Sequence, residues 1–148
     1  MKAKVHAVAG ALALLTVVVF WLSTVLSELF ADAATVAAVK RAILMGMAVL
    51  IPAMAIAGGS GFSLGRRWKN PFVEGKKRRM RIVAANGLLV LLPSAFLLAN
   101  RAEAGRFDAM FAALQALELA AGAVNIALLS LNMRDGLALR RRKLARVR

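Results

Sequence analysis

Four long apolar runs set the terms on which this chain can fold: Val5 to Ser27, Ala42 to about Leu64, Ile82 to Ala99 and Ala109 to about Met133. An α-helix rises about 1.5 Å per residue and the hydrocarbon slab of a bilayer is about 30 Å thick, so roughly 20 residues cross it. Each run is of that order. Inside lipid only helices and closed barrels satisfy their own backbone, and these continuous runs lack the alternation of barrel strands. The expected fold is therefore all-α, a polytopic membrane protein forming a single four-transmembrane-helix bundle. At 61% hydrophobic residues and mean hydropathy +0.70, the chain is far from an ordinary soluble domain, which is about 45–50% apolar.

The basic residues orient these runs. Lys2 and Lys4 precede the first; Arg66, Arg67, Lys69, Lys76, Lys77, Arg78, Arg79 and Arg81 lie in or beside a basic loop, residues 65–81; Arg134, Arg140, Arg141, Arg142, Lys143, Arg146 and Arg148 form a basic tail, residues 134–148. Only Lys40, Arg41, Arg101 and Arg106 of the 21 Lys and Arg remain for the other face, where Glu28, Asp32, Glu103 and Asp108 balance them. The positive-inside rule then predicts that both termini are cytoplasmic. Ala31-Asp32-Ala33 has the small-x-small form of a signal-peptidase site. A signal h-region is about 7–15 residues, whereas the first run is longer and contains Trp21, so residues 1–33 are expected to stay as a span.

With no Cys, disulfides, thiolate nucleophiles and Cys-ligated metals are excluded, and a single His leaves no His pair for a metal. No Tyr and two Trp give no aromatic surface for stacking bases, so the net charge of +14 points to lipid rather than to a specific nucleic acid. Nothing pairs a nucleophile with a base, and covalent catalysis is not expected.

Projected at about 100° per residue, the first helix places His6, Gly10, Ala13, Thr16, Phe20, Ser23, Thr24, Ser27 and Glu28 on one half. Val8, Ala11, Leu15, Val18, Val19, Leu22 and Leu26 occupy the half expected to face lipid. Gln115, Glu118, Gly122, Asn125 and Asn132 form a stripe on the fourth helix, and Asn86, Pro93 and Asn100 recur every seven residues in the third. Seven-residue spacing keeps a seam toward its neighbour, and these seams are expected to meet. Gly46, Pro52, Ala53, Ala57 and Gly61 give the second helix a close-packing face.

Glu118 is the only ionisable residue expected deep inside a span, and Gln115, Asn125 and Asn86 complete an intramembrane polar site. A charge there costs about 2.5–3.5 kcal/mol on the insertion scale. Two readings follow: a protonated Glu118 bonded to Gln115, Asn125 or a serine as interhelical glue, or a ligand, quinone or proton site. His6, near the start of the first span, is either an interfacial residue or a candidate axial ligand for haem b, with Met80 and Met133 at similar depth. Arg66, Arg67, Lys76, Lys77, Arg78 and Arg79 orient the protein and form a candidate site for anionic lipid head groups, each worth about 1 kcal/mol near the surface.

His6-Ala7-Val8-Ala9-Gly10, Lys40-Arg41-Ala42-Ile43-Leu44-Met45-Gly46 and the Pro52–Gly61 segment resemble bacterial four-span membrane proteins related to copper-resistance D domains and to membrane-bound protoporphyrinogen oxidase. In those families a histidine early in the first span is linked to haem or copper, which the resemblance carries to His6 alone. The last two spans look like an uncharacterised proteobacterial four-span inner-membrane family. Three roles are expected in turn: an accessory or small-ligand-binding bundle; a b-type haem redox protein using His6, with Glu118 carrying protons; and a subunit of a larger complex, with membrane-protein partners or further copies of itself.

Overall fold

The computed structural model describes residues 2–65 and 71–145, and it is all helical: α1 (Lys2–Phe30), α2 (Ala33–Gly65), α3 (Pro71–Asn86), a π-helical turn (Gly87–Leu91), α4 (Leu92–Glu103) and α5 (Ala109–Ala145). Helix α3, the π turn and α4 follow one another without a break, so four helical rods are long and apolar enough to cross a membrane: Ala3–Phe30, Ala33–Ser63, Glu74–Glu103 and Ala109–Ala138. The helices run past the apolar stretches at several ends. Residue 65 and residues 71–81 of the expected 65–81 loop are helix, and only Ala31 and Asp32 separate α1 from α2. Arg66, Arg67, Lys69 and the tail residues Arg146 and Arg148 lie outside the described residues.

Two caps explain where α2 and α5 begin. Asp32 Oδ1 accepts the Thr35 amide at 2.8 Å, and Asp108 Oδ1 accepts the Phe111 amide at 3.0 Å. Both are side chains one residue ahead of a helix, bonding an N–H that has no partner within it. Helix α4 stops because Gly105 takes φ +68°, while Gly105 N–H bonds the Ala102 carbonyl and Arg106 N–H bonds that of Arg101. That pair of bonds around a left-handed glycine closes the last turn.

Apolar side chains cover most of the outside, as expected for helices immersed in lipid: Val8, Leu15, Val19, Leu22 and Leu26 of α1 are all exposed. The opposite half of α1 packs inward, with Ala13, Thr24 and Ser27 buried, in agreement with the helical projection. Where the helices touch, small residues admit large ones. A Cβ on Gly46 of α2 would collide with the Phe20 ring, and one on Gly122 of α5 would lie 2.9 Å from Trp21 Cδ1. Trp21 also donates its indole N–H to the Leu119 carbonyl at 2.9 Å, tying α1 to α5.

The seven-residue seam expected in the third rod fails at the π turn. Asn86 packs toward α5, but Pro93 and Asn100 are exposed, and the buried face resumes at Ser94, Ala95, Leu98 and Ala99. The Leu92 amide bonds back to the Gly87 carbonyl, five residues earlier. Such a turn accommodates one extra residue, and each residue advances an α-helix by about 100°, so every later side chain moves to a new face.

The Asp108 cap is strengthened by Arg101, whose Nη2 reaches Oδ1 at 2.7 Å. This hydrogen bond, with the Phe111 amide, holds the Asp108 carboxyl below the ordinary range. Its unfolded value is about 3.9. A lowered folded value means that the contribution is complete above that pH and is lost as pH falls through the folded value. Asp108→Ala is therefore expected to lower the thermal midpoint of the detergent-solubilised protein at pH 7, with the gap to the unaltered chain closing below about pH 4.

Candidate functional site

The helices close on one another at the end away from the termini and part at the end that carries them. At the first, Val36, Leu98, Ala102 and Phe111 form a cluster joining α2, α4 and α5, and Arg41 Nε meets Glu103 Oε1 at 2.8 Å across α2 and α4. At the second, α2 and α3 barely touch. Near mid-length of the two rods that flank the gap, Pro52 lies within the continuous α2, and the third rod carries the π turn followed by Pro93.

Beneath the closed end sits a buried ion pair that the charge pattern does not reveal. Lys40, expected in a loop, occupies the second turn of α2 and is 1% exposed, and its Nζ lies 2.8 Å from Glu118 Oε2, whose side chain is 13% exposed. Glu118 is thus not alone in the span. Its expected neighbour Gln115 donates Nε2 to the same oxygen at 3.4 Å. Asn125 is elsewhere: it accepts Asn86 Nδ2 at 2.9 Å and donates to the Val83 carbonyl at 3.4 Å, while Asn86 also reaches the Ala121 carbonyl at 2.9 Å. The expected polar site is therefore two sites, seven residues apart on α5, or about 10 Å along the helix. The helical placement of Lys40 had a signal in the sequence, since Asp32 is a cap residue followed at once by an apolar segment; its burial had none.

Between α1, α2, α3 and α5, from Glu118 to the basic end, lies a cavity of about 1840 Å³. Gly10, Gly58, Met54, Ala84 and Leu88 are among its apolar walls, and His6, Lys76, Lys77 and Asn132 are among the polar groups at its basic end. His6 Nδ1 is 3.0 Å from the Ala57 carbonyl and 3.2 Å from Ser60 Oγ, and its Cε1 lies against Gly61. Because Ser60 Oγ gives its own proton to the Ile56 carbonyl, the consistent assignment puts the imidazole proton on Nδ1, donated to Ala57. Nε2 is then the basic nitrogen. Met80 and Met133 line the same cavity.

The candidate head-group residues divide. Lys76 and Lys77 line the cavity, Lys77 also pairing with Glu74 at 3.0 Å, and Arg78 is exposed. Arg79 is drawn into the protein instead: its Nε donates to Asn132 Oδ1 at 2.8 Å, and its Nη2 pairs with Asp135, bracing α3 against α5. Nothing in the spacing of a basic run distinguishes a braced arginine from a solvated one. Among the described residues, no group of three His, Asp or Glu is arranged to hold a metal ion. Comparison with protein-family models, with curated proteins and with solved structures finds no match for this chain.

Removing one partner of a buried ion pair leaves an uncompensated charge and costs about 3–5 kcal/mol, whereas replacing both with apolar residues of similar size is often neutral or better. Lys40→Met and Glu118→Leu are each expected to destabilise the protein by an amount in that range, seen as a lower thermal midpoint, and the double variant to recover most of the loss. Equal loss in the double variant would show that the pair contributes more than mutual neutralisation.

Proposed function

We propose that this chain is a small integral protein of the bacterial inner membrane, with both termini cytoplasmic, that holds a small apolar ligand in the cavity at its basic end. Its role is accessory, without covalent catalysis of its own. The cavity carries this reading: its volume of about 1840 Å³ exceeds the roughly 300–1,000 Å³ of ordinary ligand pockets, and its walls are largely apolar, with His6, Lys76, Lys77 and Asn132 at the basic end. Glu118 faces its deep end already neutralised by Lys40, which favours a structural carboxylate over a free acid. Ser60 and His6 touch, but the serine proton is committed to the helix backbone.

The test uses the purified protein and a long-chain alcohol carrying a photoreactive diazirine. Labels are expected on cavity residues such as Met80 and Leu88. Gly10 and Gly58 both border the cavity with open space where a Cβ would stand, so Gly10→Leu with Gly58→Leu narrows it without a backbone clash and should lower that labelling while sparing the outward-facing Leu89. Equal labelling of Leu88 and Leu89 in both proteins would sink the proposal, and a reporter fused after Arg148 that reads as extracytoplasmic would sink the orientation.

A second reading has its own observation. The Nδ1 bond to the Ala57 carbonyl is the kind of contact that orients an imidazole for metal ligation through Nε2, and Met80 and Met133 share the cavity with His6. These residues suit one b-type haem, which would supply one-electron chemistry. Protein expressed with haem supplied should then show a Soret band that His6→Gln abolishes; no band in either protein removes this reading.

A further inference from the structure

The basic end of the cavity carries a donor that the protein itself does not use. Asn132 is 8% exposed, and its Oδ1 is fixed as the acceptor of Arg79 Nε at 2.8 Å, so its amide Nδ2 must point the other way. No group within the described residues accepts a bond from that Nδ2, although Asn132 lines the cavity. A buried N–H without an acceptor costs about 1–3 kcal/mol; Nδ2 has almost no surface open to a water-sized atom, so an oxygen in the cavity recovers that cost where the wall over the amide gives way. Lys76 borders the same space, lying across α5 where Gly136 leaves room: a Cβ there would be 3.3 Å from Nζ. The nearby acid, Asp135, is already taken by Arg79, so the local field at this end stays positive.

The rest of the cavity is built for a chain. Asn132 and Glu118 both line it and are 14 residues apart on α5, a distance of about 21 Å at 1.5 Å per residue. One leaflet's hydrocarbon is about 15 Å deep, half of a roughly 30 Å slab, so an extended acyl chain fits along the cavity. The sparse contact between α2 and α3 gives it a sideways entrance from the bilayer.

Resting on the ligand-binding reading above, we propose that the cavity takes a single-chain amphiphile with an anionic head, a carboxylate or phosphate monoester. The head accepts hydrogen bonds from Asn132 Nδ2 and Lys76 Nζ, and the tail runs toward Glu118. An uncharged alcohol of the same length can accept one hydrogen bond through its hydroxyl but brings no charge to the Lys76 ammonium.

Competition against the photoreactive alcohol tests this in the full-length protein in neutral detergent, with hexadecanoic acid, hexadecyl phosphate, hexadecanol and inorganic phosphate as competitors. The acid and the phosphate monoester are expected to displace the probe at least about tenfold better than hexadecanol, the minimum for one charge-assisted hydrogen bond. Inorganic phosphate should displace nothing. Asn132→Asp keeps the acceptor for Arg79 but replaces the donor with a carboxylate oxygen, and Lys76→Gln removes the charge. Each should pull the acid-to-alcohol ratio toward one while hexadecanol binds as before; thermal midpoints report whether either variant has lost its fold, and the other then decides. A ratio near one in the unaltered protein, a ratio indifferent to both substitutions, or displacement by inorganic phosphate would overturn the anionic-head proposal. Failure of the probe to enter the cavity at all would overturn the ligand-binding reading instead.

Discussion

The contact between Lys40 and Glu118 is the constraint on which the arrangement of the helices rests. Hydrocarbon tails solvate a leucine as well as another helix does, so helices in lipid gain little from burying apolar surface against one another. What remains is close packing and polar attraction. An ammonium and a carboxylate 2.8 Å apart, with the lysine almost wholly buried, are costly to separate in a medium of low dielectric constant. They link α2 to α5 across the bundle through their side chains below the closed end, and Arg41 pairs with Glu103 between α2 and α4 above it. Gly46 beneath Phe20 and Gly122 beneath Trp21 bring α1 to both partners. With α2 anchored to α4 and α5 in this way, its other half has no comparable tie to α3, and the cavity occupies the space between them.

The π turn decides how the third rod serves both halves. Before it, Val83 and Asn86 face α5, where Asn86 and Asn125 satisfy each other and two backbone carbonyls. After it, Ser94, Ala95 and Leu98 are buried. A regular helix holding Asn86 inward would have kept Pro93 inward too, since seven residues make nearly two turns. The extra residue turns Pro93 outward, where its missing N–H leaves no orphaned partner in the packed interface, and gives the small side chains of α4 to the α2 contact.

Four helices, their approximate positions, the inward half of α1 and the polar stripe of α5 were all legible in the sequence, because each depends on composition and a period of 3.6. The features that were not legible depend on more than one helix. A regular period carries no mark of the extra residue that a π turn inserts, so the exposure of Pro93 and Asn100 could not be read from spacing. Lys40 was assigned to a loop because charge usually ends a span, and its burial follows from Glu118 lying opposite, 78 positions away. The separation of Asn125 from Glu118 has the same origin, since residues on one stripe share a face but not a neighbour. For the candidate site, the sequence supplied the members His6, Lys76 and Lys77 but not the cavity between them, and Asn132 was placed on the inward stripe with no hint that one end of its amide would lack a partner.

Topology and recognition make different demands on the same basic residues. The positive-inside rule is a matter of how many Lys and Arg lie beside a span, and any of them would serve for that purpose wherever their side chains point. Their positions within the fold are not interchangeable. Arg79 is consumed by Asp135 and Asn132, and in being consumed it fixes the asparagine amide and leaves its donor end without a partner. Lys77 is partly compensated by Glu74, whereas Lys76 is laid over a glycine and along the cavity wall. The proposed orientation in a bilayer would account for the number of charges at this end of the molecule. It does not account for an arginine that braces an amide, or for a lysine given room by Gly136, and those placements are what make the charge specific to one opening in the bundle.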